Sequence, residues 1–477
     1  MVLMNRKTKI VATIGPATES KKMLTKIINT GVNVCRINFS HGSHKDHKKV
    51  IDNIREINNE QGLFTAILAD LQGPKIRVGK IKDNGVELVN GNEIIITSEE
   101  CIGDASKVYI SYQNFPKDVA AGEFILLDDG KLKLEIKSTN NKDEVIAIVR
   151  HGGILSSNKG VNLPNTKISL PCLTPKDLVD LEFALQMNIA WIGLSFVRNA
   201  QDIIMLKNLI SKANSNAKVI AKIEKPEAIK DIDEIIEATD AIMVARGDLG
   251  VEIPFQEVPL AQKMIVKKSM KASKPVIIAT QMMESMIDNI TPSRAEVNDV
   301  ANAVMDGADA VMLSGETSVG NYPVAVIDAI NKIIMDVETD DSLYHFEYPP
   351  NEKIIDRYIT NSVCFNSCRL AQRINAKGIV TMTFSGYTAF KIASFRPKAG
   401  IFVFTGNQSI LNMLSLVWGV EVFLYNKFVS TDHTIADIKY ILKKDGALNK
   451  NDLLINIASM PIAEKGQSNM MKLSYIE

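Results

Sequence analysis

Short apolar segments rich in β-branched residues recur along the chain, and most end in a polar or glycine-containing tip. Between most of them, apolar residues recur with the period of an amphipathic helix, as in residues 19–31. Near-continuous apolar strands that alternate with helices predict an α/β fold whose parallel sheet is buried on both faces. The eight predicted strands begin at Lys9, Val32, Thr65, Ile189, Lys218, Ala241, Pro275 and Ala310. Their number favours a closed (β/α)8 TIM barrel over an open sheet.

The series of predicted barrel strands is interrupted once, between residues 70 and 189. Within this gap the apolar segments are short, and turn-forming Asn-Gly and Asp-Gly pairs separate them. The pattern predicts a small β-barrel domain inserted after the third barrel strand. An insertion there would lie over the catalytic end of the larger barrel, where a mobile lid is useful. The expected domains are the catalytic barrel at residues 1–74 and 171–340, the β-rich lid at 75–170, and a C-terminal α/β effector-type domain at 341–477.

Composition narrows the function classes. The chain has 477 residues, too many for one ordinary core, and its 55 basic and 55 acidic residues balance. A zero net charge gives no support for nucleic acid or a membrane surface as the main partner. The five cysteines lack a Cys/His partner pair for zinc, so buried thiols in a reducing compartment are expected. With no apolar run that suggests a signal peptide or a membrane span, we expect a cytoplasmic protein.

Chemically active residue types gather at the predicted carboxyl ends of the strands, where barrel enzymes carry their catalytic groups. These tips carry Arg36, Asn38, Ser40, His41, Asp70, Ser195, Lys222, Glu224, Arg246, Asp248, Thr280, Ser314 and Glu316. Glu224 and Asp248 follow neighbouring strands, and two carboxylates so placed suit Mg²⁺ or Mn²⁺. Lys222 lies two residues from Glu224, on the same face of its strand. A lysine beside a metal and Arg36 favours transfer of an anionic group, most simply a phosphoryl group. Each motif alone is also compatible with an ordinary charged turn, so the interpretation depends on the tips jointly.

Several long motifs occur in order along the chain. They read KIVATIGPAT from Lys9, CRINFSHG from Cys35, LADLQGPKIR from Leu68, NKGVNLP from Asn158, IEKPE from Ile223, IMVARGDLGVEIP from Ile242, VIIATQMMESM from Val276 and TPSRAEVNDVANAVMDGADAVMLSGETSVGNYP from Thr291. With these motifs the sequence resembles the pyruvate kinase family through all three domains. The resemblance implies phosphoryl transfer from phosphoenolpyruvate to ADP, which gives pyruvate and ATP in the last step of glycolysis. It also implies a homotetramer.

The same resemblance implies roles for individual residues. Glu224 and Asp248 match the family's Mg²⁺ or Mn²⁺ ligands, and Lys222 matches the lysine that stabilises the transferring phosphoryl group. The implied substrate-binding residues are Arg36, Lys222, Gly247, Asp248 and Thr280. The implied nucleotide-binding residues are Asn38, His41, Arg77 and Lys159. A second Mg²⁺ is expected to arrive with ADP, and the lid would exclude water from the transfer.

One departure concerns the monovalent cation. Many family members hold potassium with oxygens that match Asn38, Ser40 and Asp70, followed by a threonine. Here Leu71 replaces that threonine, and Lys75 stands where those members carry a glutamate. An ammonium group and a bound potassium ion would repel each other at a low-dielectric site. The sequence therefore resembles the potassium-independent class of the family, and we expect Lys75 to act in place of potassium.

A second departure concerns effector binding in the C-terminal domain. Residues 383–388 (TFSGYT) resemble the family's effector phosphate loop, with Thr383, Ser385, Gly386 and Thr388 as the matching residues. Phe384 and Tyr387 stand where basic residues often assist, and the tail at residues 457–477 lacks the glycine-rich loop of members regulated by fructose-1,6-bisphosphate. We expect no activation by that ligand, and a monophosphate effector or none remain the alternatives.

Two other functions compete with the phosphotransferase. A Mg²⁺-dependent barrel lyase or aldolase acting on pyruvate or oxaloacetate would also use two carboxylates and an arginine. It would not need Arg77 and Lys159 on a lid, nor Lys222 beside the metal. A non-catalytic binding relative is the second alternative, and the intact set of strand-tip residues argues against it.

Overall fold

The first domain is the expected parallel barrel. The computed structural model describes residues 6–164, 166–350, 357–427, 430–460 and 467–477. With strands numbered in chain order, the barrel contains β1 (Lys9–Ile14), β2 (Val34–Asn38), β3 (Ala66–Asp70), β12 (Trp191–Leu194), β13 (Lys218–Ile223), β14 (Ala241–Ala245), β15 (Val276–Ala279) and β16 (Ala310–Leu313). They close in the order β1-β16-β15-β14-β13-β12-β3-β2, and every pair is parallel. All eight predicted strands are confirmed, because each is a short, mainly apolar run that fits between two buried faces.

Helices connect the barrel strands. They are α1 (Lys21–Thr30), α2 (His44–Gln61), α4 (Pro175–Gln186), α5 (Ala200–Lys212), α6 (Pro226–Lys230), α7 (Ile232–Ala238), α8 (Arg246–Glu252), α9 (Val258–Lys271), α10 (Arg294–Met305), α11 (Gly315–Ser318) and α12 (Pro323–Val337). Capping boxes begin α2, α4 and α10, where Ser43, Thr174 and Ser293 accept a backbone hydrogen bond from the third helical residue. These caps fix where each helix starts, and so how each loop leaves its strand. No helix among the described residues is both long and apolar enough to cross a membrane.

The inserted domain is a curled, open sheet. Its strands are β4 (Gly85–Leu88), β5 (Glu93–Thr97), β6 (Lys107–Tyr109), β7 (Phe124–Leu127), β8 (Leu132–Thr139), β9 (Glu144–His151), β10 (Gly153–Ser156) and β11 (Val161–Asn162), with helix α3 (Phe115–Asp118). Six strands pair in the order β11-β7-β8-β9-β5-β6, while β4 and β10 form a separate pair. The expected small β-barrel is therefore an open, curled sheet, and its edge strands β11 and β6, of two and three residues, do not pair with each other. Single bridges from Arg77 to Gly160 and from Val78 to Ile110 span the remaining gap.

The C-terminal domain is an α/β unit that closes the amino end of the barrel. Its strands are β17 (Gly378–Met382), β18 (Gly400–Thr405), β19 (Val420–Leu424), β20 (Leu453–Ala458) and β21 (Met470–Tyr475), with helices α13 (Tyr358–Arg373), α14 (Tyr387–Ser394), α15 (Gln408–Leu411) and α16 (Thr431–Lys444). The sheet order is β19-β18-β17-β20-β21, with β21 antiparallel. Trp191, at the start of β12, donates a hydrogen bond of 3.1 Å to the carbonyl of Met413. The opposite end of the barrel, where the strands finish, therefore faces the lid.

Candidate active site

A buried lysine occupies the centre of the barrel's carboxyl end. The Lys222 ammonium lies 3.0 Å from a carboxylate oxygen of Glu224 and 3.2 Å from one of Asp70. It also donates a hydrogen bond of 2.7 Å to the hydroxyl of Ser195, which donates to the carbonyl of Leu71. Burial alone would lower the pKa of Lys222, but the two carboxylates outweigh it and raise the pKa above its usual value. This ammonium is a fixed positive charge at any ordinary pH.

An arginine on the neighbouring strand shares the same carboxylate. Arg36 approaches one oxygen of Asp70 through Nε at 2.7 Å and through Nη2 at 2.6 Å. Its Nη1 donates to the hydroxyl of Thr13 at 2.9 Å. Burial would raise the pKa of Asp70, but Lys222 and Arg36 hold it below its usual value. One buried aspartate therefore orients both cations.

The two predicted metal-ligating carboxylates, Glu224 and Asp248, are close enough for their negative charges to repel each other. Glu224 is buried and accepts a backbone hydrogen bond of 2.7 Å from Phe196, whereas Asp248 lies in the first turn of α8 and is 30 % exposed. Burial raises the pKa of Glu224, Lys222 opposes this shift, and the charge of Asp248 adds to it. A divalent cation would relieve that repulsion, so these residues fit Mg²⁺ or Mn²⁺. The described residues hold no cluster of three or more His, Cys, Asp or Glu side chains suited to a metal, so such an ion would also need oxygens from substrate or water.

Thr280 has an unusual backbone conformation beside this site. Its φ is +69° and that of Gln281 is +54°, a left-handed region that costs a β-branched residue free energy. The Thr280 hydroxyl accepts a hydrogen bond of 2.7 Å from the backbone N–H of Gly247. Arg246 donates to the Thr280 carbonyl at 2.7 Å and pairs with Asp299 at 2.6 Å. These contacts hold Thr280 against the first turn of α8, next to Asp248.

The chain leaves the barrel for the lid through a tight turn at Gly73, two residues before Lys75. Gly73 has a φ of +69°, and a Cβ there would lie 3.0 Å from the side chains of Phe196 and Ser195, so the turn favours glycine at this position. The Lys75 ammonium lies 3.7 Å from a carboxylate oxygen of Asp248. Leu71, where the family resemblance places a threonine in potassium-dependent members, is buried.

The predicted nucleotide-binding residues are divided between two domains. Arg77 donates a hydrogen bond of 3.0 Å to the carbonyl of Asn158, and Lys159 pairs with Asp128 at 2.8 Å. A cleft of about 840 Å³ lies between lid and barrel, and its lining includes Gln72, Lys75, Arg77, Lys80, Asn158 and Lys176. Of the four predicted residues, which are all described, Arg77 lines this cleft, whereas Lys159, Asn38 and His41 do not. Asn38 accepts a backbone hydrogen bond of 3.1 Å from Ser40, and His41 is exposed.

The candidate effector loop, residues 383–388, runs into the first turn of helix α14 in the C-terminal domain. Gly386 has a φ of +85° and donates its N–H to the Thr383 hydroxyl at 3.0 Å. The Tyr387 hydroxyl donates to Asn361 at 2.8 Å, and the Arg357 guanidinium lies 4.8 Å from the centre of the Tyr387 ring. The Thr388 hydroxyl lies 3.3 Å from that of Ser468. Residues 461–466, in the tail that lacks a glycine-rich loop in sequence, lie outside the described residues.

Sequence reasoning missed several residues that hold this site together. Thr13, the partner of Arg36, had a detectable signal, since it is a polar residue within an otherwise apolar strand. Lys225 and Asn162 both contact Glu252, 27 and 90 residues away from it along the chain. No periodicity or local motif connects positions so far apart.

Comparisons with known proteins agree with this geometry. A family model described as pyruvate kinase, barrel domain, matches residues 5–327, and one described as pyruvate kinase, alpha/beta domain, matches residues 361–474. Pyruvate kinases from Staphylococcus aureus strains MRSA252 and USA300 are each 41 % identical over 472 residues, which covers 99 % of this chain and 80 % of theirs. The crystal structure of a pyruvate kinase from Cryptosporidium parvum is 34 % identical, with a TM-score of 0.92, and the match covers 99 % of this chain and 97 % of that one. The chain therefore belongs to the pyruvate kinase family and is a phosphotransferase enzyme.

Proposed function

We propose that this enzyme transfers the phosphoryl group of phosphoenolpyruvate to ADP, giving pyruvate and ATP, as the last step of glycolysis. The observation that carries the proposal is the Lys222 ammonium, which Asp70, Glu224 and Ser195 hold at the centre of the barrel's carboxyl end. A permanent cation in a water-poor site stabilises the charge that develops on a phosphoryl group in transfer. Arg36, fixed by Asp70, would bind the phosphate of phosphoenolpyruvate.

The substrate carboxylate would lie at the start of α8. The backbone N–H groups of Gly247 and Asp248 open this helix, and helix N-termini favour anions. Thr280 would complete this subsite, and its hydroxyl accepts the N–H of Gly247, a contact that the substrate carboxylate would replace. A water relay at Thr280 would supply the proton that the enolate carbon needs.

Glu224 and Asp248 would hold the divalent cation. Mg²⁺ or Mn²⁺ there neutralises negative charge on the substrate and the transferring phosphoryl group. A second Mg²⁺ would come with ADP. Asn38, His41, Arg77 and Lys159 would serve the nucleotide, with the lid over the cleft holding Arg77 above the phosphates and excluding water.

We further propose that Lys75 replaces the potassium ion that many family members need. Both carboxylate oxygens of Asp70 are already engaged by Arg36 and Lys222, which leaves little negative potential there for a monovalent cation. Leu71 supplies no side-chain oxygen. The Lys75 ammonium is close enough to Asp248 to contribute its charge to the same anionic substrate.

The test measures ATP and pyruvate formation from phosphoenolpyruvate and ADP with Mg²⁺, in tetramethylammonium chloride and in potassium chloride at equal ionic strength. Equal rates in the two salts are expected for the native enzyme. Lys75→Glu should be slow without potassium and recover with it. ATP formation only with potassium would contradict the role of Lys75, and no ATP in either salt would overturn the proposed reaction.

The homotetramer and the effector loop at Thr383, Ser385, Gly386 and Thr388 stay predictions. The Gly386 N–H is bonded to the Thr383 hydroxyl, and the loop residues 383–388 include no cation, so the loop suits one phosphate at most. Addition of fructose-1,6-bisphosphate should therefore leave the rate unchanged. A phosphate monoester that raises the affinity for phosphoenolpyruvate would identify the alternative.

A further inference from the structure

Glu252 joins the lid to the barrel at a buried junction. It is the last residue of α8, and its side chain is 1 % exposed. The same carboxylate oxygen, Oε1, accepts a hydrogen bond of 2.7 Å from the amide of Asn162 and one of 2.6 Å from the ammonium of Lys225. Three segments far apart in sequence therefore meet at one atom.

These three segments are the connection that returns from the lid, the loop after β13 and helix α8. Asn162 lies on β11, where the chain returns from the lid, and the N–H of neighbouring Val161 bonds to the carbonyl of Ile76 on the outgoing connection. Lys225 directly follows Glu224. Glu252 lies about one helical turn after Asp248. The junction therefore connects the lid's hinge with the elements that carry both predicted metal-ligating carboxylates.

The two donors are not equivalent. A buried carboxylate without a partner is strongly unfavourable, and among the described residues Oε2 of Glu252 has no hydrogen-bond partner. The Lys225 ammonium is also buried, so breaking its ion pair with Glu252 would leave two buried charges without a partner, at a high cost in free energy. Asn162 is neutral and only partly buried, so its amide can exchange Glu252 for water at small cost. The hydrogen bond from Asn162 to Glu252, which we call the lid arm, is therefore the contact of this junction that breaks more easily.

Other contacts bring the same helix close to the lid. The Lys75 ammonium on the outgoing connection lies 3.7 Å from Asp248, and a Cβ at Gly130 in the β7–β8 turn would lie 3.7 Å from Val251. Helix α8 thus faces the lid along its length.

We propose that Glu252 is a positioning residue that acts as a latch: its hydrogen bond to Asn162 holds the lid at one angle to Glu224 and Asp248. The inference rests on the proposed phosphoryl transfer, for which the lid must close over the nucleotide. Breaking the lid arm lowers the fraction of molecules with the lid in place. Apparent affinity for ADP falls by that fraction, while saturating ADP restores closure.

Asn162→Ala tests the latch, with Asn114→Ala as the matched control. Asn114 is an exposed lid asparagine whose amide bonds to Ser169 at 3.3 Å, within the lid itself. For Asn162→Ala we expect the KM for ADP to rise by about five- to tenfold, as loss of one hydrogen bond of ordinary net strength predicts, with kcat within about twofold. Asn162→Asp, which sets two carboxylates against each other, should raise the KM further. Asn114→Ala should change neither constant.

Hydrogen exchange provides a readout that does not depend on turnover. The amides of Val78 and Val161 bond across the hinge to Lys159 and Ile76, so they should exchange faster in Asn162→Ala than in the native enzyme, and unchanged in Asn114→Ala. Unchanged exchange, or a fall in kcat at constant KM, would overturn the latch. If the native enzyme makes no ATP, the proposed function fails, and the exchange measurement still decides whether Glu252 restrains the lid.

Discussion

Replacing Lys222 by methionine tests the centre of the proposed mechanism. The substitution keeps the length of the side chain and removes a charge that lies 3.0 Å from Glu224 and 3.2 Å from Asp70. At an effective dielectric constant of about 20, each contact corresponds to about 5 kcal/mol of attraction. Desolvation of the ions offsets much of this, so loss of the ammonium should cost about 3–5 kcal/mol of folding free energy. The transition state loses its fixed cation as well, and kcat should fall by a thousandfold or more, which corresponds to about 4 kcal/mol.

The assay compares kcat with Mn²⁺ binding in the same preparation. Because Lys222 repels a cation at Glu224, Lys222→Met should bind Mn²⁺ at least as tightly as the native enzyme while turnover collapses. Lys207→Met is the control. Lys207 lies on helix α5, outside the active site, and its ammonium pairs with Asp240 at 3.1 Å. If kcat of a folded Lys222→Met stayed within about tenfold of native, Lys222 would not stabilise the transferring group. If Mn²⁺ binding weakened, the electrostatic reasoning would be wrong.

Three further predictions concern stability and thiol chemistry. Arg396 pairs with Asp309 at 2.9 Å in a buried contact between the C-terminal domain and the barrel, so Arg396→Met should lower the free energy of unfolding by about 3–5 kcal/mol, and a loss below 1 kcal/mol in urea titrations would contradict this. Burial lowers the pKa of Lys9 from 10.5 to about 8. Between pH 8 and pH 10.5 the unfolded chain therefore binds more protons at Lys9 than the folded protein does, so Lys9 makes the free energy of unfolding rise with pH in this range. Lys9→Met should therefore show a smaller gain between pH 8 and pH 10 than the native protein, and equal gains would refute the assignment. Cys101 is the only cysteine that is not buried, and all five are described, so a thiol reagent should modify it first and reach the others only on unfolding.

The barrel could be predicted from sequence because its determinants are local. Each strand is a short apolar run whose polar tip marks its carboxyl end, and parallel closure brings all the tips to one face. The pattern thus predicts that Arg36, Asp70, Lys222 and Glu224 lie close together, and their ion pairs show that proximity. For the C-terminal domain the sequence predicts only an α/β unit, and a five-stranded sheet with helices confirms that class.

Whether the lid sheet closes, and which side chains attach the lid to the barrel, could not be predicted from any local sequence pattern. Whether a curled sheet closes depends on the length of its edge strands, and β11 contains only two residues. The positive φ of Thr280 arises from tertiary contacts with Arg246 and Gly247, against its own preference. The Glu252 junction joins residues 162, 225 and 252 through side chains alone.

The distribution of charge in the site separates permanent contacts from exchangeable ones. Asp70 is 1 % exposed and engages Arg36 and Lys222 in pairs that could not be broken without leaving a buried charge alone. Asp248 and Lys75 are both about one-third exposed and 3.7 Å apart, so water or a ligand can separate them at little cost. Binding can therefore rearrange the outer charges while the inner ones stay fixed, as electrostatic preorganisation requires. Substitutions of Lys75 should consequently alter ion requirement and affinity, whereas substitutions of Lys222 should remove catalysis.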